Sequence, residues 1–241
     1  MDYGVVLDLE TTGINCETDR IIEIGLIEFG VGESGKPAII TMYSGLEDPE
    51  LPLSPEVQKL TGLTDDMVRG QKIDWPLVRK ILERASIVVA HNADFDRSFM
   101  QKRSEYAGLD LHWACSFKHI DWENKGYRTR ALNYLAADHG FVNPFAHRAL
   151  FDCATTFRIM EPYFAEMVQR SYYREVRVFA TRAPFETKDK LRTNRYRWDN
   201  ERRVWFKDVL EDQLPVEREF LKTDVYTGMQ DMHQEESLTS C

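Results

Sequence analysis

The sequence predicts an α/β fold, a mixed β-sheet flanked by helices, followed by a small C-terminal α/β module. Three observations carry this expectation. Strand-like segments open the chain in succession with no helix between them. A short, wholly apolar run at 87–90 then lies between two helical patterns, as a buried strand does. Beyond residue 173 the composition turns basic and aromatic and carries strand and helix signals of its own.

In chain order, residues 3–10, 20–30 and 38–44 read as strands joined by short polar turns, an antiparallel meander. Helical patterns follow at 54–61 and 75–85, then the strand 86–90, another helix, and a short strand near 112–117. Helices at 131–139 and 149–170 close a domain over 1–172. The module, 173–227, starts with a strand at 174–180, continues with a helix opened by Pro184 and running to 193, and ends in a hairpin across 196–209 turned at Asp199-Asn200-Glu201. From Gly228 onward the polar end, 228–241, is expected to be disordered.

Composition fits an intracellular enzyme of the cytoplasm. The 241 residues and 43% apolar content suit one full domain with a small appendage. No run has the length and apolarity of a membrane span, and the chain enters a strand without a secretory signal pattern. Cys16, Cys115, Cys153 and Cys241 lack paired spacing and read as free thiols in a reducing compartment.

The chemistry is concentrated in acids. Asp8 and Glu10, in Val5-Val6-Leu7-Asp8-Leu9-Glu10-Thr11-Thr12-Gly13, point to one face of a strand because side chains alternate with a period of two. Two neighbouring carboxylates on an apolar strand repel and are costly to desolvate, so a cation or a shared proton must compensate them. Two further acidic motifs follow. His91-Asn92-Ala93-Asp94-Phe95-Asp96 places a carboxylate at a strand-to-helix junction, and His147-Arg148-Ala149-Leu150-Phe151-Asp152 supplies an imidazole five residues before a fourth acid. Five helical residues turn a side chain by about 140°. His147 is therefore assigned to the preceding loop, where it suits a general base reaching a water.

On these three motifs, in this order, the chain resembles the DEDDh 3′-to-5′ exonucleases, the group that includes the proofreading epsilon subunit of bacterial DNA polymerase III. The resemblance covers roughly residues 1–170. A related subclass has Tyr four residues before the last Asp, where this chain has Arg148; His147 at five residues points to the His subclass. The resemblance implies a ribonuclease H-like fold and two divalent metal ions, Mg²⁺ or Mn²⁺, about 3.5–4 Å apart around a scissile phosphate. In that arrangement Asp8 bridges both metals, Glu10 and Asp152 complete the nucleophile-side site, Asp96 holds the other through waters, and His147 takes the proton of the attacking water.

Substrate contacts are carried over with the motifs. Thr11, Thr12 and Gly13, at the strand's end, lie in the family along the terminal nucleotide; the bland reading is a simple turn. Leu60, in Leu60-Thr61-Gly62-Leu63-Thr64, matches the loop that packs on the terminal base, although Thr61 stands where the family often has His. His91 and Asn92 brace the site or approach substrate, Phe95 with Phe99 is core by default, and Asp94 is expected to cap its helix. Arg148 either reaches a phosphate or points to solvent.

Net charge is −9, yet unevenly placed: 174–210 holds eleven Lys/Arg against six Asp/Glu, whereas 211–241 holds two against eight. Two readings of the basic stretch stand side by side. Arg195, Arg197, Arg202 and Arg203 guide a strand, or Trp198, Trp205 and Phe206 form a core beneath a solvated basic face. The expected activity is metal-dependent release of nucleoside 5′-monophosphates from single-stranded DNA or frayed ends, with single-stranded nucleic acid as partner, DNA favoured over RNA, and a DNA polymerase association in view. The alternatives are an exoribonuclease of the same fold and a catalytically idle scaffold that binds nucleic acid or a polymerase.

Overall fold

The first sheet opens with β1 (Asp2–Thr11), β2 (Ile21–Val31) and β3 (Pro37–Leu46), which form the expected antiparallel meander. The computed structural model describes residues 2–238, in two units, one ending at Ser171 and the other beginning at Tyr172. In the first unit, α1 (Pro55–Thr61), α2 (Asp65–Val68) and α3 (Trp75–Leu82) lead to β4 (Ile87–Ala90), and α4 (Ala93–Gln101) leads to β5 (Trp113–Cys115). β4 runs parallel to β1 and β5 parallel to β4, giving the strand order β3-β2-β1-β4-β5. α5 (Leu132–Asp138), α6 (Ala149–Met160) and α7 (Phe164–Arg170) follow.

The two faces of the sheet carry separate cores. Val5, Leu7 and Leu9 pack with Val78 and Leu82 of α3 and Phe99 of α4. Val6, Ile27 and Phe29 point the other way, onto Leu135 of α5 and Phe157 and Met160 of α6. β2, covered on both sides, is a nearly continuous apolar run, as central strands are. β3 is the exposed edge. This is the ribonuclease H-like fold, a mixed five-stranded sheet flanked by helices.

Departures from expectation have local causes. The helix expected over 149–170 is broken by a 3₁₀ turn at Glu161–Tyr163, where Pro162 lacks the N–H that a continuous helix needs. α2 is a single turn without an apolar period, and the sequence reading missed it. Asp94 does not cap α4: Asn92 holds that position at φ 74°, and Asp94 in the first turn pairs with Lys118 at 2.6 Å.

The second unit is a four-stranded antiparallel sheet, ordered β7-β8-β6-β9, with helices. β6 (Glu175–Ala180) is followed by a 3₁₀ turn at Phe185–Thr187, α8 (Lys188–Thr193), β7 (Arg197–Asp199), β8 (Val204–Leu210), α9 (Leu214–Phe220), a π-helical turn at Leu221–Val225, and β9 (Gln234–Leu238). Its own core gathers Val176, Val178, Leu191, Tyr196, Val209, Leu221 and Tyr226. β9 corrects the expectation of disorder from Gly228: polar and acidic as it is, it pairs along β6 from Glu175↔Leu238 to Phe179↔Gln234. The remainder of that expectation, 239–241 with Cys241, lies outside the described residues. Cys16, Cys115 and Cys153 are free thiols. Among the described residues no helix is long and apolar enough to cross a membrane.

Candidate active site

The site is built at the carboxyl end of β1, where the register shifts in a bulge between Glu10 and Thr11. Asp8 stands opposite Gly25 and Glu10 opposite Glu23 on β2, so all four share one face of the sheet. That face receives the start of α6. A Cβ on Gly25 would lie 2.4 Å from the Ala149 carbonyl carbon and 2.5 Å from the Leu150 nitrogen, so only glycine admits the helix at this depth. The Cys153 thiol donates to the Gly25 carbonyl at 3.2 Å and ties the same turn down. Asp152, one turn into α6, is thereby carried to the acids of β1.

Asp96 comes from the opposite layer. It is buried on α4, and its Oδ1 accepts the Leu9 N–H at 3.0 Å, which fixes it beside the chain segment that bears Asp8 and Glu10. Asp152 is held at both oxygens: Oδ1 accepts from Asn143 Nδ2 at 2.6 Å and Oδ2 from the His147 backbone N–H at 2.9 Å. His147 sits on the loop before α6, at φ 61° and exposed, as its spacing from Asp152 implied. Ligand atoms of Glu10, His147 and Asp152 all lie within 4.8 Å of one another.

Burial and mutual repulsion push all four carboxyls above their ordinary range. Asp8 is raised well above it by desolvation, then by Asp96, Asp152, Glu10 and Glu23. Desolvation raises Glu10 to about 8, with Asp152 and Glu23 adding to it and Arg148 opposing. Asp96 is raised well above the usual value, chiefly by burial against the opposing Leu9 hydrogen bond. Asp152 is raised as well, by burial against the hydrogen bond from His147. Among the described residues none of the four makes an ion pair with Lys or Arg. A set of oxygens and one imidazole, crowded and without a Lys or Arg ion pair among the described residues, fits a hard divalent cation.

Arg148, the nearest guanidinium, is already engaged. It forms a bidentate pair with Glu23, Nε to Oε2 and Nη2 to Oε1 both at 3.0 Å, and Glu23 Oε2 also accepts the Ala149 N–H at 3.2 Å. Arg148 thus serves neither a phosphate nor open solvent but clamps β2 to the loop bearing His147. Glu23 and Asn143 were missed from sequence. Glu23 carried the available signal, a lone acid within the apolar run Ile21-Ile22-Glu23-Ile24; Asn143 carried none.

The expected substrate contacts divide. Thr11, Thr12 and Gly13 form a turn held by its own bonds: the Thr12 N–H donates to the Arg20 carbonyl at 2.8 Å, and Thr12 Oγ1 accepts the Arg20 N–H at 2.9 Å. His91 is a brace, its ring nitrogens at 2.8 Å from Ser116 Oγ and 2.8 Å from the Arg130 carbonyl oxygen; burial lowers its pKa to about 4 and keeps it neutral. No ring nitrogen is left for a ligand, which corrects the direct-contact reading of His91. Phe95 is half-buried against Phe99, ring centroids 5.0 Å apart. Asn92 and Leu60 are exposed, as is Ile14 beside Gly13 at 89%, a residue that no motif had marked.

Comparison with known proteins agrees with this geometry. Residues 5–160 match the family described as exonuclease, the RNase T type. The PolC-type DNA polymerase III of Listeria monocytogenes is 35% identical over 156 residues, which are 63% of this chain and 10% of the polymerase. That of Staphylococcus aureus is 31% identical over 175 residues, 69% of this chain and 11% of the polymerase. The chain thus spans about a tenth of the length of these relatives. Among solved structures, exonuclease X in complex with 5′-overhanging duplex DNA shares the fold at a TM-score of 0.50 and 23% identity, covering 70% of this chain and 99% of that one. Escherichia coli exonuclease I in complex with a dT13 oligonucleotide does so at 0.58 and 13%, covering 75% and 49%. With its three acidic motifs gathered at one sheet end, the chain belongs to the exonuclease family, in the DEDDh-type 3′-to-5′ group.

Proposed function

We propose that the protein hydrolyses the 3′-terminal phosphodiester of single-stranded DNA or frayed DNA ends and releases nucleoside 5′-monophosphates. The observation that carries this reading is the crowded acid cluster: ligand atoms of Glu10, His147 and Asp152 within 4.8 Å of one another, with Asp8 repelled by Asp96, Asp152 and Glu10, and Asp96 by Glu10. Asp8, Glu10, Asp96 and Asp152 are the residues that hold Mg²⁺ or Mn²⁺. When bound, such ions offset phosphate charge and lower the pKa of a water.

The remaining work belongs to the chain. His147 accepts the proton of the attacking water on a ring nitrogen; its loop leaves the ring in solvent, while its backbone N–H stays fixed on Asp152. The Arg148–Glu23 clamp sets the position of that loop, and Asn143 fixes the orientation of the Asp152 carboxylate. Thr11, Thr12, Gly13 and Leu60 meet the terminal nucleotide. We place the enzyme in the cytoplasm, a reading supported by the three free thiols, with a DNA polymerase as the partner suggested by the PolC-type relatives.

Purified protein and its Asp8→Ala variant, incubated with 5′-labelled single-stranded DNA and RNA in Mg²⁺, Mn²⁺ or chelator, test this. The expected result is a metal-dependent ladder shortening from the 3′ end, faster on DNA and reduced at least 10³-fold in the variant, whose fold is kept. Faster digestion of RNA would make the enzyme an exoribonuclease. Equal activity in wild type and variant would remove Asp8 from the site.

A further inference from the structure

The second unit contains a groove of about 520 Å³, bordered by the chain from Ala180 through the 3₁₀ turn, α8, and the β7–β8 hairpin. Its lining brings together Phe185, Trp198 and Trp205 with Arg182, Lys188 and Arg203, and contains no carboxylate. We infer that this groove is a binding site for single-stranded nucleic acid, in which an unpaired base stacks on the aromatic side chains while Arg182, Lys188 and Arg203 hold the flanking phosphates.

Most basic side chains of this unit are spent on its own acids. Arg177 and Arg197 share Asp208, Lys207 pairs with Glu217, Arg202 with Glu236, Arg174 with Glu211, and Lys190 with Asp224. Two of the four arginines expected to guide a strand, Arg197 and Arg202, are thereby neutralised and lie over Phe206 and Phe179. Arg182, Lys188 and Arg203 have no carboxylate partner among the described residues, and all three face the same groove. Such a concentration of unpaired positive charge around exposed rings combines the two elements of single-strand binding, phosphate neutralisation and sequence-tolerant stacking.

Two of the rings, Trp198 and Phe185, are presented to solvent, while Trp205 is partly buried against the core of the unit and backs them. Trp198 and Trp205 are cross-strand partners, edge to face at 5.4 Å, with Trp198 44% exposed. Phe185 is 74% exposed, with the Lys188 ammonium 4.3 Å from its ring centroid. Arg192, also at the groove, lies 5.6 Å from the Trp205 ring and pairs with Asp189. Arg182 and Arg203 both adopt left-handed backbone, φ 54° and 53°, a conformation unusual for residues with a side chain.

This inference draws on the proposed function only for the class of ligand, so binding and cleavage are tested apart. Full-length protein carrying Asp8→Ala, in chelator, is titrated into 5′-fluorescein dT10 and, separately, rU10, followed by anisotropy at several salt concentrations, with the oligonucleotides checked for integrity afterwards. Trp198→Ala and Phe185→Ala are each expected to weaken binding about tenfold with little change in salt dependence. The double variant Arg182→Glu/Arg203→Glu is expected to lose more and to flatten the slope of log affinity against log salt by about 1.4 for two lost phosphate contacts. Arg174→Glu, a charge reversal outside the groove, should stay within twofold. Phe185 guards against loss of fold, since its exposed ring supports no core.

Groove-dependent binding of either oligonucleotide sustains the inference, and the ratio of the two affinities identifies the sugar. Unchanged affinity in all groove variants, or an equal loss with Arg174→Glu, overturns it. Cleavage of a dinucleotide by the groove variants in an Asp8 background, with metal present, is read separately: its absence in every form would sink the exonuclease reading and leave the binding result standing.

Discussion

Glu10 faces Glu23 directly across β1 and β2, a like-charge pair that a sheet tolerates only with compensation. Arg148 pairs with Glu23 and only partly offsets the crowding at Glu10, whose carboxyl rises to about 8 through burial first, then through Asp152 and Glu23. The consequence for stability has a definite sign. A carboxyl with a folded-state pKa of about 8 and an ordinary value of 4.5 binds more proton folded than unfolded between those limits, so metal-free stability falls as pH rises through that window. Asp8, Asp96 and Asp152, all raised, act in the same direction. In chelator, the thermal midpoint should therefore decline from pH 5 to pH 8, Glu10→Gln should decline less steeply, and added Mg²⁺ or Mn²⁺ should restore most at pH 8. A wild-type midpoint that is flat or rising across that interval in chelator would show that the acids are compensated from within the protein.

At the scale of elements, the site depends on how closely α6 approaches β2, and Gly25 sets that distance. Gly25→Ala would drive a methyl into the Ala149–Leu150 backbone, and overpacking of this kind costs about 1–3 kcal/mol. Because the displaced turn carries Asp152 and the loop of His147, catalysis should suffer more than folding, on the order of 10²-fold for a shift near 1 Å. Thermal unfolding and turnover of the same preparation measure the two effects; a loss of stability with full turnover would mean that α6 moves without its acid. The elements and the acids differ in how legible they were. Asp8 and Glu10 on a strand, Asp96 and Asp152 in first helical turns and His147 on a loop were nameable as candidates because they stand in three motifs that resemble a known family; spacing alone gives only the shared face of Asp8 and Glu10 and the loop position of His147. Glu23 and Asn143 act through tertiary contacts across the fold and within a loop, which no periodicity encodes. The break at Pro162 is legible in the sequence, whereas β9 is not: Gln234-Glu235-Glu236 has no apolar alternation and is a strand because β6 offers an edge and Arg218 and Arg202 take its charges.

Across the whole molecule, the contrast between a basic 174–210 and an acidic 211–241 is resolved within the second unit, where the two stretches fold against each other. The strongly negative total therefore does not describe the groove, where uncompensated cations remain. The two units also have separate cores, the first ending at Ser171, whose Oγ lies 2.7 Å from His112 Nε2. A chain cut after Ser171 keeps both faces of the five-stranded sheet covered and all five residues of the candidate site. It should unfold in a single cooperative transition and cleave a dinucleotide within about threefold of the full chain's rate, because the acids, His147 and the Arg148–Glu23 clamp are intact. On a long single strand its KM should rise at least tenfold, since the stacking rings and the basic groove side chains Arg182, Lys188 and Arg203 are gone while the reacting groups are unchanged. Equal losses on the two substrates would make the second unit a folding partner of the first, and an unchanged KM on the long strand would leave the groove outside substrate capture.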